Sequence, residues 1–246
     1  ENFERTYAVH EPGPWIYDVG RDYIRQKITL RNASRKLQKR RFSLCIKMNK
    51  ENIQYYIESN PSASINLPII ASTFPNYKVI WIIRNGKDWV RSSFSKYNEG
   101  NNEAYVFDKH EPIDRLTAKD IANDSLGSNW DSLDRFEKVC WNWVAYNKII
   151  EEFAIKNNKV LQIKFEEIFN KEKKYAGINK IIDFLDLRNN LKVKEKDFEL
   201  QMNVKKNFNE TYLLSKNFQE WDSDYQNKFI AICGETMEKY GYSIES

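Results

Sequence analysis

The chain is poor in cysteine and contains no long apolar run. Its three cysteines, Cys45, Cys140 and Cys233, are far apart and odd in number. None stands in a C-x-x-C pair, which argues against a cysteine metal site and suits a reducing, cytoplasmic compartment. No stretch approaches the ~18 consecutive apolar residues of a membrane-spanning helix. Nothing at the amino end reads as a signal peptide. The opening residue is Glu1 and not Met, so we expect an upstream segment. Net charge is only +4, too weak by itself to imply a nucleic-acid partner.

What is present supports a packed core: 41% of residues are hydrophobic and 14% aromatic, which argues against disorder. The length suits one large α/β domain or two small ones, and we expect a single domain over residues 1–246. Basic residues cluster. Residues 31–50 hold eight Lys/Arg and no Asp or Glu. Such a run is either a solvated helix face or the lining of an approach to an anionic substrate.

The most informative stretch is Pro75–Tyr97. Lys78–Ile83 is apolar and β-branched, as in a buried parallel strand. Arg84-Asn85-Gly86-Lys87 breaks it with a turn, and Asp88 opens a helix. Ligands of α/β units sit outside the carboxyl ends of the strands, where Arg84 stands. Ser92 lies eight residues on, one turn into the helix. Either Arg84 pairs with a nearby carboxylate and Ser92 is an ordinary serine, or the two form an anion site suited to phosphate.

Upstream, Phe3–Val9 has strand character and runs into His10-Glu11-Pro12-Gly13-Pro14-Trp15, a forced loop. His10 or Glu11 can take a proton from an acceptor hydroxyl; alternatively His10 caps a turn and Glu11 pairs with a lysine. Ile16–Ile24 is an irregular aromatic segment of loop and helix. Thr29–Arg41 is a basic helix, and Ser43–Met48 is a short strand or a loop. Ile53–Glu58 is a strand, followed by a helix over Ile65–Phe74 that Ser62 or Ser64 caps. With the strand at Lys78 this makes a βαβ unit. Residues 98–129 are polar, and a stretch this long suits a lid or specificity insertion. Leu133–Phe153 is the strongest helix, with apolar residues at three- and four-residue steps. Lys159–Phe165 is another strand, Lys171–Leu185 an amphipathic helix, and Tyr225–Tyr240 a last helix stopped by Gly241.

Arg84-Asn85-Gly86-Lys87-Asp88-Trp89-x-x-Ser92 after an apolar strand resembles the 3′-phosphate-binding motif of sulfotransferases that use 3′-phosphoadenosine 5′-phosphosulfate (PAPS). Glu58-Ser59-Asn60-Pro61 is similar to a Glu-Lys-Thr-Pro element of that family, without its Lys. Arg135-Phe136-Glu137-x-x-Cys140-Trp141-x-Trp143 looks like its central helix. Phe165-Glu166-Glu167-Ile168 and Tyr240-Gly241-Tyr242 look like its later elements. The resemblance implies a P-loop-like parallel sheet flanked by helices on both faces, and transfer of a sulfuryl group from PAPS to an acceptor hydroxyl or amine. It implies Arg84 and Ser92 as ligands of the 3′-phosphate, with Lys205 or Lys206 as a further cation there. It implies Glu11 or His10 as the base. Trp15, Tyr17 and the 98–129 insertion are candidates for lining a small-molecule, lipid or carbohydrate acceptor. The family's Gly-x-x-Arg-Ser-Gly-Thr-Thr loop, which holds the 5′-phosphosulfate, has no counterpart in this sequence. Two rivals remain: a P-loop-class nucleotide or small-molecule kinase, and a non-catalytic nucleotide- or glycan-binding module of the same fold. A composition rich in Asn, Lys and Ile points to a bacterial source.

Overall fold

The computed structural model describes residues 3–95, 114–169, 174–190 and 212–244. The elements are β1 (Thr6–His10), α1 (Tyr17–Ile24), α2 (Leu30–Lys50), β2 (Tyr55–Ser59), α3 (Leu67–Thr73), β3 (Val79–Ile83), α4 (Gly86–Ser95), α5 (Arg135–Ile155), β4 (Val160–Lys164), α6 (Phe165–Phe169), α7 (Lys174–Phe184) and α8 (Ser223–Lys239). The chain divides into two compact units, Glu1–Ile82 with Glu152–Asn207, and Ile83–Glu151 with Phe208–Ser246.

In the first unit β1 and β2 run parallel, in register from Thr6 opposite Tyr55 to His10 opposite Ser59. β3 pairs with β4 in a second two-stranded sheet. Tyr55 and Ile57 of β2, Ile80 of β3 and Ile163 of β4 pack into one apolar cluster with Ile178 and Ile182 of α7. The α/β class expected from the sequence holds. The one continuous sheet does not appear among the described residues: β2 and β3 lie in separate ladders. They share side-chain packing without the backbone pairing that a spacing of about 4.8 Å permits.

Helices α1, α2 and α3 enclose their own cluster of Ile16, Val19, Ala33, Leu37 and Ile69. The aromatic segment after Trp15 is therefore a regular helix, anchored through buried Val19. Thr29 caps α2, its hydroxyl accepting the Asn32 N–H at 3.3 Å. α2 runs on to Lys50, so Ser43–Met48 is neither strand nor loop. Its inward positions explain this: Leu37 and Arg41 are buried and Leu44 and Met48 half-buried, at helical steps of four, three and four. The cap after β2 also differs from expectation. Asn60, and not Ser62 or Ser64, accepts the Ser62 N–H at 2.9 Å and opens a 3₁₀ turn over Pro61–Asn66 that leads into α3.

The second unit is built on α5 and α8. Phe136, Val139, Cys140 and Trp143 of α5 are buried, as are Phe229, Cys233 and Met237 of α8. Rings of Phe94, Phe136, Trp221 and Tyr225 meet edge to face or tilted, the geometry aromatic quadrupoles favour. Cys140 and Cys233 are buried free thiols and Cys45 is exposed; burial pushes the Cys140 thiol up. Ala118, Trp130, Leu133 and Trp141 form a further cluster in this unit. α8 ends on Gly241 at φ 67°, with Gly241 N–H donating to Glu238 O at 2.8 Å and Tyr242 N–H to Met237 O at 2.9 Å. That double closure needs a left-handed residue, which glycine supplies without strain. No helix among the described residues is long and apolar enough to cross a membrane.

Candidate active site

β3 ends at Ile83, and the Arg84 turn that follows belongs to the second unit. Buried Trp81 and Ile83 seat the strand, and Arg84 follows, half-buried, at its carboxyl end. The helix opens at Gly86, two residues earlier than the sequence suggested, so Ser92 falls in the second turn of α4 and is half-buried. Asn85 is the cap: its side-chain oxygen accepts the Lys87 N–H at 2.9 Å. The Gly86 N–H points to the Met237 sulfur at 3.3 Å. Two of the first amides of α4 are thus engaged within the protein. An anion here would rely on the Arg84 guanidinium and the Ser92 hydroxyl more than on the helix end. Lys87 is buried over the Phe218 ring. Burial pushes its ammonium below the usual lysine value, against the favourable charge of Asp88.

The His10 loop belongs to the first unit. His10 and Glu11 are both exposed at the end of β1. His10 Nδ1 lies 3.3 Å from Ser59 Oγ, and the Glu11 N–H donates to Ser59 O at 2.9 Å. Where Nδ1–H donates to Ser59, the Nε2 lone pair is left for an acceptor proton. Glu11 sits at φ 43°, a left-handed conformation that costs a side-chain-bearing residue about 1–2 kcal/mol. Trp15 is 62% exposed, and Tyr17 is half-buried at the start of α1. Lys205 and Lys206 lie outside the described residues, as do residues 98–113 of the insertion. Of the rest of it, Leu116 and Ala118 are buried.

Sequence reasoning missed what fixes this loop. Arg41, inside the basic run, is 3% exposed and forks onto Glu58 at 3.0 and 2.7 Å. Its remaining nitrogen donates to Pro14 O at 2.8 Å, and Arg40 holds Trp15 O while pairing with Asp18. The Tyr56 hydroxyl and the Asn60 amide also donate to Glu58, at 2.7 and 2.8 Å. Burial pushes the Glu58 carboxyl up, but the hydrogen bonds of Arg41, Asn60 and Tyr56 outweigh it and hold the group below the usual carboxylate value. Burial, then the bond to Glu58, pushes the Tyr56 phenol up. The match of Glu58 to a family element was visible in the sequence. Its pairing with a residue of the basic run was not.

A half-buried guanidinium after a strand and a half-buried hydroxyl in the helix that follows are both groups that bind phosphate. The chain belongs to the sulfotransferase family, whose sequence profile matches residues 3–190. No curated protein and no solved structure matches it.

Proposed function

We propose that the protein transfers a sulfuryl group from PAPS to a hydroxyl or amine of a small-molecule, lipid or carbohydrate acceptor. The observation that carries this reading is the family match over residues 3–190, which contains the Arg84–Ser92 motif. Arg84 and Ser92 hold the 3′-phosphate, Arg84 as a planar fork suited to two phosphate oxygens, with Lys205 or Lys206 as a second cation. That grip orients the donor for in-line attack. The acceptor atom bonds to sulfur as the bond to the bridging oxygen breaks, and adenosine 3′,5′-bisphosphate leaves with the electron pair. The acceptor proton passes to Glu11 or His10. Trp15 and Tyr17 line the acceptor, and residues 98–129 select it. The free thiols fit a cytoplasmic setting.

The test is calorimetric binding of adenosine 3′,5′-bisphosphate to the native chain and to Arg84→Ala. Loss of a charged hydrogen bond of about 1.5–3 kcal/mol predicts roughly ten- to hundredfold weaker binding by the variant. Equal affinity in the two proteins would overturn the assignment.

A further inference from the structure

We propose that the carboxyl-terminal segment from Met237 to Ile244, together with Trp143 of α5, is a clamp that positions Arg84, with Tyr242 as its principal positioning residue. The functional half of this proposal rests on the reading of Arg84 as a phosphate ligand.

Four contacts within the second unit carry it. The Tyr242 hydroxyl donates to Ile83 O at 3.1 Å. The Trp143 indole donates to Arg84 O at 3.2 Å. The Gly86 N–H faces the Met237 sulfur at 3.3 Å, and the Lys87 ammonium donates to Ile244 O at 3.4 Å. The carbonyls of Ile83 and Arg84 belong to the two peptide planes that flank the Arg84 Cα. A rigid peptide plane held by its oxygen has little freedom to rotate. With both planes tethered, the backbone angles of Arg84 are pinned and its side chain starts from a fixed root. Preorganisation of that kind lowers the ordering cost when the guanidinium closes on a ligand. The approach is close: a Cβ on Gly86 would lie 2.9 Å from the Met237 sulfur and 3.2 Å from the Trp143 ring. Tyr242 is buried, and the left-handed Gly241 sets its direction.

Tyr242→Phe keeps the ring and removes the donor; Met237→Leu keeps the volume and removes the sulfur. Two measurements separate positioning from mere stability. Amide hydrogen exchange is followed over residues 83–88 without nucleotide. Calorimetry gives the ratio of affinities for adenosine 3′,5′-bisphosphate and adenosine 5′-monophosphate. For Tyr242→Phe we expect exchange at these amides to rise beyond any rise in the rest of the second unit, and a ratio reduced by about two- to tenfold, the worth of one neutral hydrogen bond. Met237→Leu should show the same pattern more weakly. A general loss of stability would not change the ratio. Native exchange and a native ratio in Tyr242→Phe would show that the phenol only fills the core, and would overturn the proposal. A native chain that does not distinguish the two nucleotides would overturn the phosphate reading, and the functional half of the clamp with it. The exchange result judges the clamp itself.

Discussion

Replacing Glu58 by alanine is expected to destabilise the protein by about 3–5 kcal/mol at neutral pH, the cost of leaving the partner of a buried ion pair uncompensated. The side chains of Arg41 and Glu58 are 4% and 16% exposed, so solvent does little to screen the orphaned guanidinium. Tyr56 and Asn60 lose an acceptor in the same stroke. The midpoint of urea unfolding measures the effect, and a loss under about 1 kcal/mol would place the pair among ordinary surface ion pairs. The double replacement Arg41→Met with Glu58→Leu should recover much of the stability, because it removes both charges together. The pH dependence follows from the direction of the shift. The folded carboxyl titrates below its ordinary value of 4.5, so the unfolded chain binds the proton more readily. The contribution of Glu58 is complete above that value and is lost as pH falls below it, through the folded pKa. Glu58→Gln should flatten this part of the stability curve.

The largest effect on turnover is expected at the His10 loop. Removing a general base slows catalysis by about a hundred- to ten-thousandfold, and we assign that loss to Glu11→Gln ahead of His10→Ala. Stability gives the control. Glu11 holds a left-handed backbone at φ 43°, which glycine adopts without strain, although glycine costs more chain entropy on folding. The two effects oppose, so Glu11→Gly should leave the unfolding free energy within about 1 kcal/mol of native while activity collapses. Sulfated product, followed with PAPS and an accepted hydroxyl substrate, is the readout. Near-native turnover in both Glu11→Gln and His10→Ala would exclude the loop from proton transfer. The strain at Glu11 is also a reason to look for function there, since a conformation of this kind is retained where the surrounding structure demands it.

The readable part of the molecule was the part written locally. The apolar run before Arg84, the periodic stripe of α5 and the glycine stop of α8 each fall within a few neighbouring residues, and all three stand in the structure. Ser43–Met48 was ambiguous because a short mixed segment fits either period. Its helical identity depends on the docking of the preceding turns of α2. Separation in sequence hid the rest. Arg41 looked like one more cation of a solvated face, and nothing adjacent to it announces Glu58 as its partner. The bond from Tyr242 to Ile83 spans 159 positions, beyond any local pattern. The sheet shows a different limit. Strand character was legible for β2 and β3, but whether two strands share a ladder depends on where their backbones lie.

The region matched by the family profile stops at Asn190, yet the second unit takes Phe208–Ser246 as part of its body. A chain cut where the match ends would retain Arg84, Ser92 and α5 and lose α8. Phe136, Cys140 and Trp143 would then face water in place of Tyr225, Cys233 and Tyr240, and the carbonyl of Ile83 would lose its phenol. Such a trimmed protein should be insoluble or molten and silent toward nucleotides, although it would contain all of the matched sequence. For this chain, the edge drawn by likeness falls short of the segment that completes the second unit.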